Sequence, residues 1–472
     1  MRKKTLLLTV ALLLAACGPA VDPATLPDVP TVNTVNYQSG VRAQLDEAVA
    51  AFDAAPTSAK RNGHLGMLFR AYRDFDASTA LFERASALAP RNLDWQYYYA
   101  ESLEQQGRND EALAAFQSVL TRAPSDVPSR LHAARMLLAT GQVQEALTMA
   151  LAAKEAQPRA GDAYVLVAEA LTRAGRVDEA VMAWEEALSE FGGFRNGHYA
   201  LAQLYRRVGR RTDAERQLWL FETTGRESPP AFDPRLVELF KLNVSDRALV
   251  RAAQAAKRRG EVEQALALLE QALERNPDNL ETRASLVSGY TTQAQFDDAQ
   301  RHADAGLAQD PDHVALGVAA ARLALARGRS KDALAQLRQT VSRSPKHAEA
   351  RAWLGRVHEI RGRKADAGRH YAAAVAIDPA QASARRLYMN WLVSNETPER
   401  VVDVLSSLVD TPSRDAPLAY LALAQGYARL GDRDAALAAL DTGMERARWL
   451  GLSRQERQLA ERRAALVAGV TP

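Results

Sequence analysis

Seven prolines divide much of this chain into equal lengths. Pro90, Pro124 and Pro158 follow one another at intervals of 34 residues, and Pro277, Pro311, Pro345 and Pro379 keep the same interval. Proline lacks a backbone donor and stops a helix. A ladder of this kind therefore admits only segments that end at the same point each time. Between the prolines one skeleton recurs. Residues 93–124 carry Tyr99-Ala100, Leu103, Gly107, Ala112, Phe116 and Val119; residues 348–379 carry Leu354-Gly355, His358, Gly362, Ala367, Tyr371 and Ala374. A fixed period of this length means stacked supersecondary units, none of which buries its apolar face alone. The 472 residues thus read as one quasi-linear array rather than three separate domains.

Each unit is expected to be a helical hairpin. Small residues (Gly66, Ala100, Ala168 and Gly355 in the first helix; Ala112, Ala146, Ala180, Ala265, Ala299, Ala333 and Ala436 in the second) let the helices approach. Phe82, Phe116, Trp184, Leu269 and Tyr371 fill the space between. Glycine at 107, 141, 175, 209, 260, 328, 362 and 431 suits the left-handed position that closes the first helix. This skeleton resembles the tetratricopeptide repeat (TPR), W-x2-L-G-x2-Y…G…A-x3-F-x2-A…P, over roughly residues 59–440. The resemblance implies an all-α TPR superhelical solenoid of about eleven repeats, starting near 59, 93, 127, 161, 195, 246, 280, 314, 348, 382 and 417. At 59 and 382 the pattern weakens: Ser78 and Val401 replace the packing alanine, and Pro412 falls one position early.

The register breaks once, at GRESPPAFDPRLVELFKLNVSD (225–246). Its prolines predict a rigid turn, followed by a short amphipathic helix around Arg235–Leu242. The break gives a block of five repeats at 41–228, a Pro-rich segment at 229–245, and a block of six at 246–440. Residues 198–246 are also similar to TPR segments of exported bacterial proteins associated with c-type cytochrome modules. Residues 435–468 read as one long helix with Trp449, Leu450, Leu459 and Leu466 on a stripe. It either caps the last repeat (441–472) or forms a coiled-coil dimerisation arm.

The amino terminus, MRKKTLLLTVALLLAACGPA, carries a cationic start and an apolar run of 12 residues from Thr5 to Ala16. That run is too short for a bilayer span of about 20 residues and fits a signal peptide at 1–16. Leu14-Ala15-Ala16-Cys17 resembles the lipobox of bacterial lipoproteins, and Cys17 is the sole cysteine of the chain. The resemblance implies diacylglycerol on the Cys17 thiol and an envelope location. Gly18 in place of Asp implies the outer membrane, facing the periplasm. Residues 17–40, with Pro19, Pro23, Pro27 and Pro30, then read as a lipidated disordered tether. The formal charge of +3 is set by the leader: removing Arg2, Lys3 and Lys4 takes Lys+Arg from 60 to 57, equal to the 57 Asp+Glu. No nucleic-acid partner is expected from a neutral body.

The sequence carries no motif for catalysis. A single cysteine excludes a disulfide framework, a Cys-rich zinc site and a Cys-x-x-Cys-His haem site. None of the eight histidines forms a zincin helix, and there is no phosphate loop and no nucleophile elbow. His358 and His370 fall on opposite helices of one repeat and can approach, as packing imidazoles. The chain is expected to hold no cofactor or metal and not to be an enzyme.

TPR superhelices bind ligands on a concave face lined by the first helix of each repeat. In this register that face offers Tyr97, Arg135, Arg173, Tyr199, Arg206, Arg207, Lys257, Arg258, Arg322 and Arg356. Such a basic lining favours an acidic protein or peptide partner through bidentate carboxylate contacts. Neither of two TPR recognition modes carries over. The carboxylate clamp needs Asn at position 9, which here reads Met67, Glu101, Arg135, Glu169 and Gln203. The asparagine ladder needs it at position 6, which reads His64, Tyr98, His132, Leu166 and Ala200. Charge also drifts along the array: residues 101–200 hold 9 basic against 14 acidic side chains, and 301–400 hold 17 against 10. The functional expectation is a lipid-anchored envelope scaffold binding another protein in its groove. The alternatives are an assembly or maturation factor for a redox or secretion complex, and a cell-wall glycan-associated regulator, which a groove dominated by aromatic rings rather than arginine would favour. The Trp95-Gln96-Tyr97-Tyr98-Tyr99 cluster reads either as a hot spot for a peptide or as rings packed between repeats.

Overall fold

A computed structural model describes residues 25–29, 34–229 and 231–469. Among these residues all regular structure is helical: 25 α-helices and a 3-10 turn at Thr34–Asn36. Two compact units result. Of the described residues, the first comprises those up to Phe191 together with those of 229–245; the second comprises 192–228 and those from Asp246 on.

In the first unit α1 (Ser39–Asp53) precedes four hairpins: α2 (Ala59–Ala71) with α3 (Phe75–Leu88), α4 (Leu93–Gln105) with α5 (Asn109–Arg122), α6 (Val127–Ala139) with α7 (Val143–Ala156), and α8 (Gly161–Arg173) with α9 (Val177–Phe191). The fifth hairpin, α10 (Arg195–Arg207) with α11 (Arg211–Thr223), belongs to the second unit, whereas α12 (Pro234–Lys241) belongs to the first. The second unit continues with α13 (Asp246–Arg259) and α14 (Val262–Arg275), α15 (Leu280–Thr292) and α16 (Phe296–Gln309), α17 (Val314–Ala326) and α18 (Ser330–Arg343), α19 (Ala348–Ile360) and α20 (Lys364–Ile377), α21 (Ala382–Asn395) and α22 (Pro398–Leu408), α23 (Ala416–Arg429) and α24 (Arg433–Trp449), and last α25 (Ser453–Val467). Every hairpin starts within one residue of its expected position.

Local chemistry explains the starts and stops. Asp126 accepts from the amide of Ser129 at 3.0 Å and caps α6; Asn279 does the same for α15 through Thr282 at 3.0 Å. All but one of the first helices end where a residue turns left-handed. Gly107, at φ 73°, lets the Arg108 amide reach back to the carbonyl of Leu103 at 3.0 Å. The equivalent position of three repeats is not glycine: Arg73 and Ala294 still turn left-handed, at φ 68° and 58°, whereas α21 ends at Glu396 in extended backbone, at φ −108°.

Packing follows the skeleton. Phe116 and Tyr371 are fully buried, each worth about 1.5–3 kcal/mol in burial alone. A Cβ on Gly66 would come within 2.9 Å of the Phe82 ring, and one on Gly355 within 2.9 Å of the Tyr371 ring. The same large side chain also joins repeats. Phe82 stacks on Tyr98 at 5.3 Å and Phe116 on His132 at 4.9 Å. Tyr98 and Trp95, which lies against Gly63, are thereby committed between repeats.

Three expectations are corrected. The repeat at 195–228 does not go with the first block. Gly192 and Gly193 both turn left-handed after α9, at φ 66° and 63°, at the boundary between the two units, while the 34-residue spacing is kept. The Trp219 ring on α11 then packs against Trp449 at 5.8 Å, with the Arg446 guanidinium 3.8 Å from the Trp449 ring centre. The carboxy-terminal segment is not one helix. Gly451 turns left-handed at φ 66°, and α25 folds back on α24, burying Leu459 and pairing Arg463 with Asp441 at 2.6 Å. Of its apolar stripe Leu459 is buried and Trp449, Leu450 and Leu466 are partly so, all packed within the unit as a cap. Finally, the described part of the expected tether is ordered. Leu26 is buried, Val29 packs on the α1–α3 core, and Arg84 donates to the Pro27 carbonyl at 2.7 Å. Cys17 and residues 1–16 lie outside the described residues.

Candidate functional site

The first helices of the first four repeats, α2, α4, α6 and α8, present a face on which residues 232–244 of the same chain are seated. The seat runs against the repeat order. The Phe232 amide donates to Asp162 on α8 at 3.3 Å. Asp233 receives the phenol of Tyr97 on α4 and lies 3.3 Å from Nε2 of His132 on α6. Arg235 donates to Asp94 at 2.8 Å and to Asp126 at 2.9 Å, and its guanidinium stands 4.5 Å from the centre of the Tyr97 ring. The Tyr98 hydroxyl donates to the Arg235 carbonyl at 3.0 Å. Farther on, Phe240 lies 5.5 Å from the Arg70 guanidinium of α2. Leu242 and Val244 join the α1–α3 core, and Asn243 donates to the Ala71 carbonyl at 2.8 Å.

The local fold of the segment is set by Asp233-Pro234. Asp233 Oδ1 caps α12 by accepting from the Leu236 amide at 3.0 Å, and Pro234 occupies the first turn, where a missing donor costs nothing. One carboxylate thus both starts the short helix and docks it.

Electrostatics make this a charged lock. His132 is held between Asp233 and Glu104, with Arg135 donating to Glu104 at 3.1 Å. Burial opposes a charged imidazole, but the hydrogen bonds it donates to Asp233 and Glu104 outweigh that and push the pKa up to about 9. Burial likewise opposes the Asp233 carboxylate; bonds from His132, Tyr97 and the Leu236 amide overcome it and hold its pKa low. Beneath Phe240 the buried Arg70–Glu101 pair is bidentate, at 2.6 and 2.5 Å. Burial, with Asp233 beside it, raises the Tyr97 phenol well above its ordinary value.

The expected groove residues fall into separate groups. Tyr97 and Arg135 are in this site. Tyr97, though, is fully buried under the chain's own segment. Arg173 donates to the Leu138 carbonyl at 2.5 Å. In the second unit Arg206, Arg207, Lys257 and Arg258 are exposed. Tyr199 is half-exposed beside Phe221, Arg322 lies 5.0 Å from the Trp353 ring, and Arg356 donates to Glu359 at 2.8 Å. His358 and His370 do stack, at 5.2 Å, beside a cavity of about 350 Å³ lined also by Arg338 and Asp366. Among the described residues no group of three or more His, Cys, Asp or Glu is placed to hold a metal ion, and no helix is long and apolar enough to cross a membrane. Sequence reasoning missed Asp233, Arg235 and Glu104. The available signal was the Asp-Pro start of a charged amphipathic turn between two repeat arrays.

Three tetratricopeptide repeat family models match the chain: one at 65–127 and 318–382, a second at 103–170 and 256–323, a third at 417–442. Together they cover more than half of it. Among curated proteins the chain is similar to a cytochrome c-type biogenesis protein, CycH of Rhizobium meliloti (strain 1021), with 37% identity over 93 residues. That match takes in 18% of this chain and spans about a quarter, 24%, of the relative's length. Among solved structures it is similar to yeast Tom70 (14% identity, 91% of this chain and 93% of that one, TM-score 0.42). It is also similar to a thermophilic TPR protein of Thermus thermophilus (18% identity, 48% and 100%, TM-score 0.31).

Proposed function

Because this chain belongs to the tetratricopeptide repeat family, whose fold supports protein–protein interaction, we propose that it is a lipid-anchored envelope scaffold binding another protein or peptide on its first-helix face. The observation that carries this reading is the seated 232–244 segment: this face takes a polypeptide with defined polarity and side-chain chemistry. The scaffold acts by holding and orienting partners, without turnover. Cys17 supplies the anchor, and two or more acyl chains hold a protein stably at a membrane where one is marginal. Its place is the outer membrane, facing the periplasm. The exposed cations Arg206, Arg207, Lys257 and Arg258 favour an acidic partner for the second unit.

A second reading, an assembly factor for a redox complex, is favoured by the similarity to the cytochrome c-type biogenesis protein. The glycan reading would need a groove dominated by aromatic rings, whereas Trp95 and Tyr98 are committed to packing and Tyr97 to Asp233.

Crosslinking with mass spectrometry on intact envelopes tests the scaffold and identifies its partner, with redox-complex subunits expected under the second reading. Fractionating cells that carry Cys17→Ser tests the anchor. The variant is expected in the soluble fraction, and persistence in the membrane refutes lipidation.

A further inference from the structure

The segment that fills the first unit's groove is bound like a ligand. Of its helix, only Leu239 is fully buried; Val237 is 55% and Phe240 48% exposed. A helix kept as core would hide such side chains. What holds it, beside the buried Leu239 and the anchoring of Leu242 and Val244 in the α1–α3 core, is a row of directional polar contacts spread over three repeats: Asp162, then Tyr97 with His132, then Asp94 with Asp126. The array needs none of them to stack, because its repeats are joined by Phe82–Tyr98 and Phe116–His132.

We infer that the groove of the first unit is a receptor for a partner segment carrying an acidic residue, an arginine two positions on, and a short helical turn with an apolar residue, and that residues 229–245 are its built-in competitor. The acidic side chain enters between Tyr97 and His132. The arginine bridges Asp94 and Asp126 while lying on the Tyr97 ring. The apolar residue takes the place of Leu239. An intramolecular ligand acts at an effective concentration on the order of millimolar. A partner therefore displaces it only by binding more tightly, or by engaging a second surface as well. This inference rests on the scaffold reading and adds the partner's chemistry and the element that regulates access.

The test uses a fluorescein-labelled peptide of residues 229–245 and the full chain. The chain carrying Asp233→Ala and Arg235→Ala, with a loosened segment and an intact groove, is expected to bind the peptide at least tenfold more tightly than wild type. Adding His132→Ala removes the gain, and a peptide with alanine at both positions does not bind. Equal binding to wild type and loosened chain, or none to either, overturns the proposal. Hydrogen exchange on the unmutated chain guards against misfolding of the variants. Excess 15N-labelled peptide, separable by mass, is expected to speed exchange at residues 236–244 of the protein, and unchanged exchange counts against displacement. Envelope crosslinking separates the two levels. Partner capture with no peptide binding leaves the scaffold standing and removes the receptor; loss of both removes the scaffold reading too.

Discussion

The His132 imidazole and the Asp233 carboxylate meet at 3.3 Å although 101 residues of chain separate them. Both side chains are nearly buried, and Glu104 is the second carboxylate on the imidazole. Removing Asp233 leaves the buried His132 with Glu104 alone and takes from the segment the carboxylate that docks it. Asp233→Ala is expected to destabilise the first unit by about 2–4 kcal/mol, read as a lower urea midpoint with the second unit's transition unchanged. It should also speed tryptic cleavage after Lys241, whose side chain is exposed but whose backbone is held in α12.

The same contact gives a pH window. The folded pKa of His132, about 9, lies above its unfolded value of about 6.5. Its contribution is thus complete below roughly pH 6.5 and fades as pH rises through about 9. Asp233 is shifted downward from 3.8, so its contribution is present above about pH 4 and fades in stronger acid. The groups facing the imidazole are Glu104, Arg135, Tyr97 and Asp233. Urea midpoints of wild type and His132→Gln are expected to differ most between about pH 4.5 and 7 and to converge by about pH 10. A gap that persists at that upper limit contradicts a charged His132.

Ala294 carries a left-handed backbone where eight other repeats place glycine. Alanine suffers a steric penalty there, and glycine escapes it at a smaller entropic cost in the unfolded chain. Ala294→Gly is expected to gain about 0.5–1 kcal/mol, seen as a rise in Tm. At Arg73 the same change gains less, because the guanidinium also lies 5.7 Å from the Phe75 ring centre.

Reversing Arg206, Arg207, Lys257 and Arg258 to Glu probes the second unit. All four are exposed, so each change should move stability by no more than about 0.5 kcal/mol. Capture of the main partner in a pull-down at low salt is expected to fall by at least tenfold. Undiminished capture removes these cations from the interface.

The repeats were legible because their determinants are local. Gly107 ends its helix and Ala112 admits the neighbouring one within a single parcel of 34 residues, and the starts at 59, 93, 127 and 161 follow from that spacing alone. Two things depended on pairings that no short window contains. Trp219 finds Trp449, and Asp233 finds Tyr97. Position 5 of a repeat marks Tyr97 as facing the groove. Nothing in its own neighbourhood says that the groove is filled from 136 residues away.

A groove whose occupant is encoded in the same polypeptide has a fixed stoichiometry. Each copy of the protein is made with one equivalent of its own competitor, and neither gene dosage nor expression level can alter that ratio. Dilution does not empty the groove either, since the segment never leaves. The fraction of grooves open to others is therefore a property of the fold, the same in a cell with few copies as in one with many.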